Sequence, residues 1–137
     1  MKGLVDGLRT QGKRLTRPRR AILAVLERSK YPLSASELHG RLKKEGVAAD
    51  LVTVYRTLAV LKDAGLVSQV ELQEGQSRYE ILQGREHHHH IRCRGCGRIV
   101  DLLLCPIKKL TTLVERETQF LVEGHSLEFF GVCPKCR

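Results

Sequence analysis

Through the first 65 residues of this 137-residue chain, apolar side chains recur at the three- and four-residue spacing of amphipathic helices. Each of three predicted helices is preceded by a residue type that suits the N-cap position: Thr16, Ser34 and Asp50. Pro18 falls in the first turn of the first helix, and Gly46 and Gly65 follow the ends of the second and third. The pattern predicts three short helices.

From Val67 onward the spacing changes. Two runs, Val67–Leu72 and Ser77–Leu82, flank a turn at Glu74-Gly75 and predict a β-hairpin. Three short helices followed by a hairpin form a winged helix-turn-helix, which we assign to residues 1–84.

Residues 85–137 show a different pattern. We predict strands at His87–Arg92 and Arg98–Leu103, a helix from Pro106, and a last strand at Ser126–Val132. The apolar face of that helix would comprise Ile107, Leu110, Val114 and Leu121. Apolar residues on both faces of the last strand predict burial on both sides. The fold class is therefore α+β, with a small α/β domain after the winged helix.

Positive charge is concentrated near the N-terminus. The chain carries a formal net charge of +9, and residues 1–30 hold nine Lys or Arg against two acidic residues, a net +7. Such a concentration is typical of a surface that binds a polyanion, and double-stranded DNA is the first candidate. Aromatic residues make up only 4% of the chain, which argues against single-strand binding by base stacking. The basic side chains expected at phosphates or in the minor groove are Lys13, Arg14, Arg17, Arg19 and Arg20.

The third helix is the candidate recognition helix, because a helix fits the major groove of DNA. Its candidate contacts are Thr53, Tyr55 and Arg56. Arg56 lies almost opposite the centre of the apolar stripe, and arginine reads guanine through two parallel hydrogen bonds. Tyr55 lies on the flank of the stripe, where it could touch a thymine methyl or a phosphate. Packing of Tyr55 in the domain core is the alternative.

Two C-x-x-C pairs, separated by 36 residues, suggest a four-thiolate zinc site. They consist of Cys93, Cys96, Cys133 and Cys136. Two disulfides are the alternative, but these require an oxidising compartment, and the first ten residues contain no apolar signal region. A segment of about 53 residues gains stability from zinc and from pairing with a second copy, so we expect a homodimer. Cys105 is left over, either as a small buried residue or in a metal or redox role.

Four consecutive histidines, residues 87–90, precede the first cysteine pair. In a strand, alternate side chains share a face, so His88 and His90 would point one way and His87 and His89 the other. Neutral imidazole binds zinc, iron, copper and nickel. A solvated polar strand edge is the alternative to a metal site.

The chain resembles the ferric uptake regulator family of metal-dependent bacterial repressors. The resemblance runs from about Gly12 to Cys136 and rests on four segments in a fixed order. These are Leu15-Thr16-Arg17-Pro18-Arg19, Thr53-Val54-Tyr55-Arg56-Thr57-Leu58, the histidine run that leads into Cys93-x-x-Cys96-Gly97, and Cys133-x-x-Cys136. The family is expected to have a winged helix followed by a dimerisation and metal-sensing domain, here residues 85–137.

The resemblance also implies roles for individual residues. The regulatory metal would be bound by Glu80, His88 and His90, with Asp101 as a further carboxylate ligand. An additional site would be bound by His87, His89 and His125. Arg14 would enter the minor groove. The implied cofactors are structural Zn²⁺ and a regulatory Fe²⁺, Zn²⁺ or Mn²⁺.

The sequence departs from the family pattern in ways that leave the sensed metal open. Pro32 stands in a stretch where many iron sensors have a histidine ligand. Lys108 stands where the additional site often has a glutamate, a change expected to weaken that site. His89 replaces an aspartate that is common in iron sensors.

The expected function is therefore a metal-responsive, DNA-binding transcriptional repressor that controls iron or zinc uptake. It would bind palindromic operators as a metal-loaded homodimer in the cytoplasm, with no membrane partner. A peroxide or redox sensor on the same scaffold and a metal-buffering protein are the alternatives. We do not expect an enzyme, because the chain has no H-E-x-x-H helix and Glu86 is the only obvious general base near the histidines.

Overall fold

The computed structural model describes residues 2–137, which divide into two compact units between Arg85 and Glu86. The predicted boundary, between residues 84 and 85, lies one residue before this division. No helix within residues 2–137 is long and apolar enough to cross a membrane.

The first unit contains four helices: α1 (Lys2–Thr10), α2 (Arg17–Arg28), α3 (Ala35–Lys44) and α4 (Leu51–Asp63). The three predicted N-caps are present. The side chain of Thr16 accepts a hydrogen bond from the Arg19 N–H, and that of Asp50 accepts one from the Thr53 N–H. Ser34 and Glu37 form a reciprocal capping box at the start of α3.

A three-stranded antiparallel sheet completes this unit, formed by β1 (Leu33–Ser34), β2 (Val67–Glu71) and β3 (Ser77–Ile81) in the order β1-β3-β2. The β2–β3 hairpin is the predicted wing. Buried leucines and isoleucines from all four helices pack together with side chains from the sheet. This is the winged-helix architecture that the periodicity indicated.

Two elements of the first unit were not predicted. Helix α1 buries Leu4 and Leu8, which are spaced by one helical turn, in a segment that we had interpreted only as part of a basic region. The two-residue strand β1 was missed because it pairs with β3, which lies 44 residues further along the chain. Such a short strand has no periodicity of its own.

The second unit contains β4 (His89–Cys93), β5 (Ile99–Leu102), α5 (Lys108–Thr118) and β6 (Glu128–Gly131). Its sheet has the order β5-β4-β6, with β5 antiparallel and β6 parallel to the central strand. The α+β fold class is therefore confirmed.

The predicted helix and last strand of the second unit need correction. Helix α5 ends at Thr118 because Gln119 adopts a left-handed conformation, so Leu121 lies beyond the helix instead of on its apolar face. Ile107 is the N-cap of α5 and not part of its interior. Strand β6 is shorter than predicted, and its Phe129 and Phe130 are both 43% exposed instead of buried on both sides.

Burial is very unequal between the two units. Every residue of the hydrophobic core cluster belongs to the first unit. Among the described residues of the second unit, the buried side chains are His89, His90 and Cys93. Helix α5 buries none of its residues within the chain. The second unit therefore lacks the apolar interior that stabilises the first.

Candidate metal centres and DNA-binding surface

The two C-x-x-C turns bring four thiols together at one end of the second unit. Cys93 ends β4, Cys133 follows β6, and the sulfurs of Cys93, Cys96, Cys133 and Cys136 all lie within 4.8 Å of one another. The Sγ atoms of Cys96 and Cys133 are 3.8 Å apart. A tetrahedral zinc ion with Zn–S bonds of about 2.3 Å separates neighbouring sulfurs by about 3.8 Å. The four thiols therefore fit zinc, and nothing in this arrangement requires disulfides.

The backbone of the turns supports a charged sulfur cluster. The backbone N–H groups of Cys133, Cys96 and Gly95 donate to Cys93 and lower the pKa of its thiol to about 6. Hydrogen bonds with Cys133, Cys96 and Cys93 raise the pKa of the Cys136 thiol to about 12. Four sulfurs at this spacing thus hold one thiolate readily and retain a proton elsewhere. A bound cation removes that conflict, because a coordinating thiol is deprotonated by the metal.

Gly95 is required by the packing of the thiol cluster. A Cβ atom at this position would lie 3.0 Å from both Cβ and Sγ of Cys136. Contacts of 3.0–3.4 Å are tighter than nine in ten that real Cβ atoms make. A larger residue at position 95 therefore requires Cys136 to shift by a few tenths of an ångström.

Strand alternation separates the histidine run into two groups. His88 and His90 stack edge to face, with ring centroids 4.9 Å apart, and His87 and His89 do the same at 4.7 Å. Because β4 begins at His89, its side chains leave the sheet on alternating faces.

Further residues that can bind metal lie beside His87 and His89. The Nε2 atoms of His87 and His89 are 3.1 Å apart, and those of His89 and His125 are 3.3 Å apart. Cys105 belongs to the same cluster, and its Sγ lies 3.6 Å from His125 Nε2. From the sequence, only the family resemblance predicts that the three histidines lie together, and no local pattern assigns Cys105 to a site.

In the group formed by His88 and His90, two carboxylates lie close to His90. His90 Nε2 lies 3.6 Å from Asp101 Oδ1, and His90 Nδ1 lies 3.4 Å from Glu128 Oε2. The register explains this, because Asp101 of β5 and Glu128 of β6 are both directly opposite His90 in the sheet. His88 Nδ1 is 2.7 Å from the Glu86 carbonyl oxygen, which leaves Nε2 directed elsewhere. Glu128 was not predicted, and only the strand register reveals it.

Glu80, the remaining predicted regulatory ligand, belongs to the first unit. It lies on β3, is buried, and accepts a hydrogen bond of 2.7 Å from Arg85 Nη1. A buried carboxylate at the end of the wing is chemically suited to a divalent cation.

The outward face of α4 carries the predicted base contacts. Val54, Leu58 and Leu61 are buried, whereas Tyr55 is 50% exposed and Arg56 is exposed. The core alternative for Tyr55 is therefore wrong. Thr53 is half-buried, and its N–H is used to cap the helix. Val52, 54% exposed on the same face, was missed, although an apolar residue there can contact a thymine methyl.

The arginines that are predicted to contact the DNA backbone lie near the start of α2. Arg14 and Arg17 are exposed, and Arg19 is half-buried. The guanidinium of Arg19 donates to the Arg14 carbonyl oxygen at 2.6 Å. This bond fixes the loop that presents Arg14 to solvent.

A family model described as "Ferric uptake regulator family" matches residues 10–130 of the chain. Over 131 residues, the chain is 35% identical to the ferric uptake regulation protein of Legionella pneumophila, covering 95% of this chain and 96% of that protein. The chain belongs to the ferric uptake regulator family. The resemblance identified from the four sequence segments is thereby confirmed.

The chain is also similar to a peroxide-responsive repressor and to ferric uptake regulators of known structure. The chain is 32% identical over 133 residues to the peroxide-responsive repressor PerR of Staphylococcus aureus, covering 97% of this chain and 88% of that protein. Among solved structures, the ferric uptake regulator of Vibrio cholerae has a TM-score of 0.80 at 31% identity, covering 93% of this chain and 98% of that one. The ferric uptake regulator of Francisella tularensis with iron has a TM-score of 0.79 at 33% identity, covering 91% and 95%.

The packing around Gly95 generates a prediction for zinc retention. Gly95→Ala should accelerate loss of zinc from the four-cysteine site, because the added methyl group displaces Cys136. Competition with a chromophoric chelator measures the rate. Gly131→Ala is the control, since a methyl group there meets nothing within 4 Å. Equal rates of zinc loss in the two variants would contradict this account of Gly95.

Proposed function

We propose that this chain is a metal-responsive DNA-binding transcriptional repressor of the ferric uptake regulator family, acting in metal homeostasis. The observation that carries the proposal is that β4 separates two sets of metal-ligand side chains next to a four-thiol cluster. Four thiolates at the spacing of a closed tetrahedral shell suit a structural zinc ion. A second, chemically different set around His88 and His90 suits a regulatory ion, which is bound and released as its concentration changes.

We propose that the regulatory ion is bound by Glu80 with His88 and His90, and that Asp101 contributes a further oxygen. Support comes from the chemistry of each residue. Glu80 is a buried carboxylate, and Asp101 approaches His90 within 3.6 Å. Mixed imidazole and carboxylate ligands suit Fe²⁺, Mn²⁺ and Zn²⁺. The solved relatives include a ferric uptake regulator with iron, one with manganese, and a zinc-bound manganese uptake regulator.

Ligands in both units would couple metal binding to DNA binding. An ion held by Glu80 of the first unit and His88 of the second favours one arrangement of the two units over others. Shifting such an equilibrium from 1:99 to 99:1 requires about 5.5 kcal/mol of differential binding. Arg85 now donates to Glu80, so the carboxylate must exchange or share that hydrogen bond when it binds a cation.

We further propose that the DNA is a palindromic duplex bound by a homodimer. The row Val100, Ile91 and Phe129 crosses the second sheet in register, and both Val100 and Phe129 are more than 40% exposed. Beside this row, a cavity of about 340 Å³ is lined by apolar atoms and by the cysteine turns. Further exposed apolar side chains are Leu103, Leu104, Leu110, Phe120 and Leu121. A second copy is the occupant that also matches the two-fold symmetry of a palindrome.

The regulatory assignment is tested by a double substitution. Glu80→Ala combined with His88→Ala should abolish the increase in operator affinity that added metal produces, because a ligand is lost from each unit. Fluorescence anisotropy with an operator selected from random duplexes measures the affinity, with Fe²⁺, Mn²⁺ and Zn²⁺ titrated separately. Glu86→Ala removes an exposed carboxylate near the histidines and serves as the control. Metal-dependent binding that survives unchanged in the double variant would contradict the assignment.

The peroxide-responsive relative supports a second candidate function at the same site. Asp101 and Glu128 provide oxygen atoms within 3.6 Å of His90, and oxygen ligands suit iron and manganese. In the same anisotropy assay, a peroxide sensor would lose DNA affinity after mild peroxide treatment when loaded with iron but not with manganese. For a regulator that senses only metal, peroxide treatment would leave the DNA affinity of the iron-loaded and the manganese-loaded protein equally unchanged.

The DNA assignment predicts different effects for two arginines. Arg56→Ala should weaken operator binding by about 1–3 kcal/mol and relax sequence preference, because a bidentate base contact is lost. Arg14→Ala should weaken binding to operator and random duplexes alike and reduce the salt dependence, because a phosphate or groove contact is lost. Anisotropy at several salt concentrations measures both. If Arg56→Ala weakened operator and random duplexes equally, α4 would not be the reading helix.

The dimer assignment predicts the effect of a charge on the exposed sheet face. Phe129→Glu should raise the dimer dissociation constant by about 100-fold or more, because an unpaired charge would be buried. Sedimentation velocity at micromolar concentration measures this constant. Tyr31→Glu is the matched control, since Tyr31 is also 43% exposed but lies in the first unit. A wild-type protein that sediments as a 15.5 kDa monomer would refute the proposed dimer.

A further inference from the structure

Cys105 belongs to neither the four-thiol cluster nor the proposed regulatory set. It lies in the segment between β5 and α5, it is half-buried, and its Sγ contacts the Nε2 atom of His125 at 3.6 Å. His125 lies after α5, so the two residues bracket that helix in the chain. The same Nε2 atom of His125 lies 3.3 Å from Nε2 of His89 on β4.

Three separations among the four ligand atoms match the edges of a coordination tetrahedron, and all four atoms lie within 4.8 Å of one another. With Zn–N bonds of about 2.05 Å, two imidazole nitrogens lie about 3.3 Å apart, and with a Zn–S bond of about 2.3 Å, a nitrogen and a sulfur lie about 3.6 Å apart. The observed Nε2–Nε2 separations are 3.1 Å for His87 and His89 and 3.3 Å for His89 and His125. The observed separation of Cys105 Sγ and His125 Nε2 is 3.6 Å.

The central imidazole is oriented for coordination by a hydrogen bond on its far side. His89 Nδ1 lies 3.0 Å from the Leu127 carbonyl oxygen and donates its proton there, so the Nε2 lone pair faces the other three ligand atoms.

We propose that His87, His89, Cys105 and His125 form a closed zinc site, with the Cys105 thiolate as its fourth ligand. This inference refines the proposed metalloregulator by giving its additional site a sulfur donor. Lys108, which lines the cavity beside the cluster, was expected to weaken this site because it replaces an acidic ligand. The Cys105 thiolate supplies an anionic donor from another position in the chain.

The donor set also determines which ion is preferred. It contains three imidazoles, one thiolate and no carboxylate, which favours Zn²⁺ over the harder Mn²⁺ and Fe²⁺. All four tetrahedral positions are filled by protein atoms, so no position is left for water or substrate, as in structural zinc sites.

The position of the site gives it a mechanical role. The chain leaves the sheet after β5 and returns at β6, and α5 lies between with none of its residues buried. An ion bound by Cys105, His125 and His89 would connect the segments before and after α5 to strand β4. Zinc at this site therefore holds α5, with its exposed Leu110 and Leu113, in place for a partner surface.

Thiol accessibility tests the proposal without any use of DNA. The protein is first treated with a mild chelator so that zinc remains only in the four-cysteine site. Cys105 should then be the one rapidly reacting thiol towards Ellman's reagent, and Cys105→Ser should lose that reaction. One equivalent of Zn²⁺ should protect the thiol in the wild type and in His88→Ala, but not in His125→Ala.

Cobalt provides a second measurement that does not depend on the folding of the His125 variant. Co²⁺ added to the zinc-retaining wild type should produce a sulfur-to-cobalt charge-transfer band that is absent from Cys105→Ser. A Cys105 thiol that reacts equally fast with and without Zn²⁺ would overturn the proposal, as would identical cobalt spectra. If both results are as expected but DNA binding never responds to metal, the proposed function fails and this site stands.

Discussion

Within the described chain, the second unit has almost no interior other than side chains that can bind metal. Its buried side chains within the described chain are His89, His90 and Cys93, and each of them belongs to a cluster of metal-ligand residues. About 50 residues bury too little apolar surface to offset the conformational entropy of folding. An ion bound by these residues would compensate for that missing core, because the free energy of metal binding contributes to the free energy of folding. The first unit, with its leucine-rich core, has no such requirement.

A single strand, β4, carries residues of all three candidate metal centres. β4 ends in a cysteine of the thiol cluster and carries His89 on one face and His90 on the other. On the His90 face, the sheet register places Asp101 of β5 and Glu128 of β6 opposite His90. The opposite face collects Cys105 and His125 from segments that flank α5. One face is therefore rich in oxygen donors and the other in nitrogen and sulfur donors, so the two sites are expected to prefer different ions.

Local signals in the sequence were sufficient for most of the fold. The N-caps at Thr16, Ser34 and Asp50 act within three residues, and strand alternation acts within two, so a single sequence displays them. The end of α5 was wrong because apolar spacing continues to Leu121, whereas Gln119 turns the backbone to a left-handed conformation. Periodicity alone contains no signal for that termination.

The parts of the site that were missed depend on contacts distant in sequence. Cys105 meets His125 across 20 residues, and Glu128 meets His90 only through the parallel β4–β6 pairing. Neither residue has a neighbour in the sequence that marks it as a ligand. In both cases a residue type that can bind metal was present in the sequence. The sheet register gave Glu128 its partner, and the segments on either side of α5 brought Cys105 to His125.

If β4 serves two chemically different metal sites in addition to the four-cysteine zinc, the two sites should bind different ions. Equilibrium dialysis of the protein that retains only this zinc tests it most directly, with Zn²⁺ and Mn²⁺ compared at low micromolar free concentration. We expect two further equivalents of Zn²⁺ per chain but only one of Mn²⁺, and His88→Ala should remove the Mn²⁺ equivalent. A single further equivalent of Zn²⁺, or two of Mn²⁺, would contradict it.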